Sequence, residues 1–123
     1  MEKVIFVGLG GFIGSSIRYF LNVTFSKYSS FPYSTMIANF LGCFLIGFLM
    51  FIFTQKIENN DLKLFLTTGI MGGLTTFSTF SYETFALLKN NEFQKAMLNM
   101  GLSLFGCLFL TSLGYFICGK ILK

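Results

Sequence analysis

Three apolar runs, Val4 to Ile17, Met36 to Phe53 and Leu98 to Ile117, occupy much of a 123-residue chain, and they dictate its solvent. A soluble fold must cover its core with polar side chains, and runs this long leave too few to do so. Only 11% of the residues are charged, against about 25% in soluble domains. The expected class is an all-α integral membrane protein, because a helix satisfies its own backbone where lipid offers no partners.

A crossing takes about 20 mostly apolar residues. Four fit within a single domain spanning residues 1–123, at approximately 4–23, 34–53, 62–88 and 93–118. Ser29-Ser30-Phe31-Pro32 interrupts the chain after the first, and the polar stretch Gln55 to Asp61 separates the second from the third. The third is unusual. Its middle, Gly69-Ile70-Met71-Gly72-Gly73-Leu74-Thr75-Thr76-Phe77-Ser78-Thr79-Phe80-Ser81, combines adjacent glycines with Thr and Ser, all poor helix formers. The sequence therefore predicts a helix broken near Gly72 to Thr76. Freed backbone in a bilayer must be buried in protein or face a watery cavity, so the break belongs at a protein interface.

Four spans place both termini on one side. That side and the second loop carry Lys3, Lys56, Lys63, Lys120 and Lys123; the other carries Arg18, Lys27, Lys89 and Lys95. Five against four gives little orientation bias, which permits insertion both ways up and an antiparallel dimer. Four short helices leave little room for a lined path, so oligomerisation is expected. Gly10-x-x-x-Gly14 and Gly69-x-x-x-Gly73 allow close helix approach, within the subunit or between subunits.

Other classes fail on chemistry. Gly8-Leu9-Gly10-Gly11-Phe12-Ile13-Gly14 has the glycine spacing of a dinucleotide-binding loop, but no acidic residue stands between Glu2 and Glu58 to hold a ribose. The +4 net charge is scattered over loops and ends, which argues against nucleic-acid binding. There is no His, and Cys43, Cys107 and Cys118 form no CxxC pair; they read as small residues packing between helices. Lys3 followed by an apolar run ending at Gly14-Ser15-Ser16 also has the form of a cleaved leader, although the other spans would remain.

Polar groups at membrane depth are costly and mark candidate sites. Arg18 either snorkels to the interface or attracts anions at a vestibule mouth. Asn39 either bonds a neighbouring helix or turns its amide toward a pore. Phe77 and Phe80 share a helix face, and their electropositive ring edges beside Ser and Thr hydroxyls suit a small, hard anion. Glu83 caps, pairs with a basic group or stands near the ion path.

The stretch Gly72-Gly73-Leu74-Thr75-Thr76-Phe77-Ser78-Thr79-Phe80-Ser81-Tyr82-Glu83 resembles the signature of the Fluc (CrcB) fluoride channels. Gly10-Gly11-Phe12-Ile13-Gly14 with Arg18-Tyr19, and Asn39-Phe40-Leu41-Gly42-Cys43-Phe44-Leu45-Ile46-Gly47, are similar to that family's first- and second-helix motifs. The resemblance implies a multi-pass cell-membrane protein, not an enzyme, that lets fluoride leave the cytoplasm passively and so relieves its toxicity. It implies an antiparallel, dual-topology homodimer in lipid, with the broken helix at its centre. There a structural Na+ would be held by backbone carbonyls matching Gly72 and Thr75. By the same resemblance the pore residues are Asn39, Phe77 and Phe80, with Ser78 and Thr79 at hydroxyl positions, Arg18 in the vestibule and Glu83 near the pore. A polar track on the fourth helix falls on Asn99, Ser103 and Cys107, where Cys107 departs from the expected hydroxyl. The alternative function, a small dual-topology proton-coupled multidrug exporter, needs a titratable carboxylate within a span, and the first, second and fourth spans have none.

Overall fold

The computed structural model describes residues 2–25 and 31–122. Lys27, Ser29, Ser30 and Lys123, which bear on the loop and charge pattern, lie outside the described residues.

Among the described residues every regular element is helical. Helix α1 covers Glu2–Phe25 and α2 covers Tyr33–Gln55. Helix α3, residues 60–74, is followed by α4, Phe77–Lys89, and α5, Phe93–Ile121. Three helices, α1, α2 and α5, are long and apolar enough to cross a membrane. The stretch between α2 and α5 supplies the fourth passage in two pieces. Gly47 of α2 packs on Thr111 of α5, and Phe51 on Tyr115 and Gly119, so residue numbers rise together and the two helices run parallel. The chain must therefore return across the same thickness between them, and α3 and α4 make that return.

Glycines set the spacing within each parallel pair. A Cβ on Gly14 would overlap backbone atoms of Ile70 and Leu74, and one on Gly73 would stand 2.7 Å from Gly11 O. The Gly10/Gly14 and Gly69/Gly73 stripes thus face each other, and both small-residue motifs pack within the subunit.

Residues 64–71 of α3 wind more loosely than an α-helix, with the i→i+5 bonding of a π-helix, a form frequent at functional sites. Asn59 caps the start of α3, its Oδ1 accepting from Leu62 N–H at 3.0 Å. At the other end of the return, Asn91 takes φ 61°, a left-handed conformation Asn tolerates, and Glu92 N–H bonds Leu87 O at 2.8 Å to close α4. Outward from the packed pairs, Phe12, Phe20, Phe85, Phe105 and Phe109 are exposed, as lipid-facing or partner-facing residues are.

Candidate functional site

The site is built on the break. Thr75 (φ −90°, ψ 149°) and Thr76 (φ −150°, ψ 125°) leave helical space for extended backbone. Thr76 N–H then donates to Asn39 Oδ1 at 2.8 Å, and the Asn39 amide donates back to Thr76 O at 3.3 Å. Of the two readings of Asn39, the structure shows the bond to a neighbouring segment, and the residue also lines a cavity with its remaining amide hydrogen unassigned. Thr79 N–H turns to Thr76 Oγ1 at 3.3 Å, which makes Thr76 the N-cap of α4.

These diversions have a consequence for two carbonyls. In an unbroken helix Thr76 N–H would bond Gly72 O, and Thr79 N–H would bond Thr75 O. Both donors are engaged elsewhere, so Gly72 O and Thr75 O leave the ladder. Gly72 is exposed, and a Cβ built on it would meet only Thr67 O at 3.9 Å. Neutral carbonyl oxygens at an open surface are a donor set that fits a hard cation such as Na+.

Arg18 reaches the same break. It is half-buried, and its Nε donates to Gly73 O at 3.0 Å, which ties the first helix to a third carbonyl of the interrupted segment. Beside it lies a polar cavity of about 300 Å³, lined by Ser15, Arg18, Tyr19, Asn22, Ser34, Thr35 and Thr79. A second cavity, about 520 Å³, brings together Asn39, Cys43, Thr76, Phe77, Phe80, Ser103 and Cys107 among its lining. The Phe77 and Phe80 rings stand 5.5 Å apart at 46°, both turned to this space.

The hydroxyls divide. Thr79 faces the smaller cavity, whereas Ser78 is exposed, its Oγ 3.1 Å from Thr76 Oγ1 at the cap. Ser103 lies 3.5 Å from Asn99 Oδ1; Asn99 donates to Thr84 Oγ1 at 2.9 Å, and Thr84 to Phe80 O at 2.8 Å. This buried run of bonds ties the middle of α4 to α5, one turn beyond Phe80. Glu83 accepts from Thr35 Oγ1, so its partner is a hydroxyl of α2 and not a cation. Among the described residues the ion pair is Lys95–Glu92, on the surface.

Several residues of the site were not singled out from the sequence. Thr35 stands one turn before Asn39, and Asn22 one turn after Arg18, so i±4 extension from each candidate would have found them. Ser34 donates to Asn22 Oδ1 at 2.9 Å, which joins α1 to α2 at the mouth of the smaller cavity.

Residues 5–115 match the model of the family described as CrcB-like protein, Camphor Resistance (CrcB). A Clostridium perfringens protein named fluoride-specific ion channel FluC is 51% identical over 85% of this chain and 89% of its own length. Relatives of the same name from Thermus thermophilus, 45% identical over 98% of both chains, and Methanococcus maripaludis, 42% identical over 93% of both, agree. With a matched stretch that takes in all four passages and the break between α3 and α4, the chain belongs to the CrcB family.

Proposed function

We propose that the chain is the subunit of a fluoride-selective channel, conducting passively and performing no enzymatic chemistry. The observation that carries this reading is the convergence of Asn39, Phe77, Phe80 and Ser103 on one cavity at the helix break. Fluoride holds its water tightly, so a path for it must offer replacement donors. An amide hydrogen of Asn39, the ring edges of Phe77 and Phe80, and the Ser103 hydroxyl on exchanging its long 3.5 Å bond to Asn99 Oδ1 are such donors, and none carries a full charge that would trap the ion. The Arg18 guanidinium raises anion concentration at the neighbouring polar cavity. A negative-inside potential then drives the anion outward by about 2.3 kcal/mol per 100 mV.

The functional unit in this reading is an antiparallel homodimer in the cell membrane. The near-even loop charges support it, as does the outward exposure of Gly72, since an inverted second copy doubles the set of freed carbonyls. A structural Na+ held by Gly72 O and Thr75 O of both copies would, when bound, offset dipoles that otherwise face each other. Glu83, tied to Thr35, positions α4 against α2 beside the path, and Ser78 and Thr79 serve the cap and the smaller cavity.

Purified protein in liposomes, followed with a fluoride electrode and with any proton gradient collapsed, tests the reading. Fluoride should leave and chloride should not. Phe80→Ile should slow fluoride efflux at least about tenfold, a barrier change of ~1.4 kcal/mol, while crosslinking still traps the dimer. Equal passage of chloride, or an unaltered rate in that variant, rejects the assignment.

A further inference from the structure

We propose that Cys43 and Cys107 form a two-thiolate site for a soft cation that prefers linear coordination, such as Hg2+, within the wall of the larger cavity. Gly47 of α2 and Thr111 of α5 are in backbone contact so close that a Cβ on Gly47 would overlap Thr111 O. Cys43 and Cys107 each stand four residues earlier on these parallel helices, one turn away on the same face. That register brings the thiols together: both line the cavity that holds Phe80 and Ser103, and the Cys43 thiol is the polar neighbour of the Cys107 thiol. Both are reduced. The third cysteine, Cys118, is fully buried and lines no cavity described above.

The chemistry of the pair selects its ligand. A structural zinc site needs four ligands, and no group of three or more His, Cys, Asp or Glu side chains gathers among the described residues. Two sulfurs alone suit soft ions, for which thiolate is the preferred donor. Binding is proton exchange without oxidation: two R–SH and one Hg2+ give R–S–Hg–S–R and two H+. The product is neutral, which the apolar wall tolerates where a free dication would not be. An ion bridging α2 and α5 there narrows the space beside Phe80 and Ser103. Block of fluoride movement by the ion rests on the channel reading; the two-thiolate site does not.

The full chain, in chloride-free detergent solution and again in liposomes, is titrated with mercuric acetate and then alkylated. Intact and peptide mass spectrometry should find one ion retained per chain, with Cys43 and Cys107 protected together. C118S should retain the ion as the unaltered chain does, while C43S and C107S should each lose it. In liposomes the ion should stop fluoride efflux in the unaltered protein and in C118S, and leave C43S and C107S at their own untreated rates. Retention in either C43S or C107S, protection of Cys118 instead, or loss of free thiols before metal is added would overturn the site. Protection of both thiols with efflux undiminished would overturn its place in the path. If the untreated protein passes no fluoride yet the pair still captures the ion, the site stands and the channel reading falls.

Discussion

Replacing Asn39 takes both partners from Thr76 at once, and the structure gives the size of the effect. The 2.8 Å bond to Thr76 N–H is of full strength, whereas the 3.3 Å bond to Thr76 O is at the long end of the range. Leaving a buried backbone group unpaired costs about 1–3 kcal/mol. Hydrogen bonds between helices in membranes average nearer ~0.6 kcal/mol, because the alternatives also find partners. Two groups of unequal strength then give a loss of about 1–4 kcal/mol, most of it from the N–H. Asn39→Leu is the informative variant, since it keeps the number and branching of the side-chain heavy atoms while removing the hydrogen bonding; Asn39→Ala adds a cavity. Reversible unfolding in mixed micelles, followed by far-ultraviolet circular dichroism, reads the difference. If Asn39→Leu lies within about 0.5 kcal/mol of the parent, the range of an ordinary surface change, then Asn39 does not hold the break and the reasoning is wrong.

Gly14→Ala places a methyl group onto the Ile70 and Leu74 backbone and should destabilise the fold by about 1–3 kcal/mol. Gly8→Ala meets nothing within 4 Å and should be neutral or up to ~1 kcal/mol stabilising through helix propensity, so equal effects in the same unfolding assay would contradict the packing described. Thr76→Val removes the hydroxyl that accepts from Thr79 N–H and should cost about 1 kcal/mol, read as earlier exchange of amides in the first turn of α4. Arg18→Gln should reduce fluoride flux more at 10 mM than at 500 mM ionic strength, where the Debye length shrinks from about 30 Å to a few ångströms; a salt-independent ratio would leave Arg18 with only its bond to Gly73 O.

What was legible in the sequence is what a residue's near neighbours decide. Long apolar runs required helices in lipid. Gly72-Gly73 followed by Thr75-Thr76 marked the interruption, because each of those residues weakens helix locally, and the structure turns extended at Thr75 and Thr76. Phe77 and Phe80 share a face by helical spacing alone. Matching motifs then named the family, and its fluoride chemistry came with them and not from periodicity. The sequence left open whether Gly10-x-x-x-Gly14 packs inside the subunit, whether Asn39 bonds backbone, what Glu83 meets, and whether any two cysteines adjoin.

Those answers needed the tertiary structure, because each joins residues far apart in the chain: Arg18 to Gly73 across 55 positions, Asn39 to Thr76 across 37, Thr35 to Glu83 across 48. Hydropathy and propensity are sums over a few consecutive residues and set which segments enter the bilayer and where one of them fails as a helix. Which carbonyls are freed at the break, and which side chains gather round it, depends on the register of packed helices. Glycine contacts fix that register only once the chain has folded.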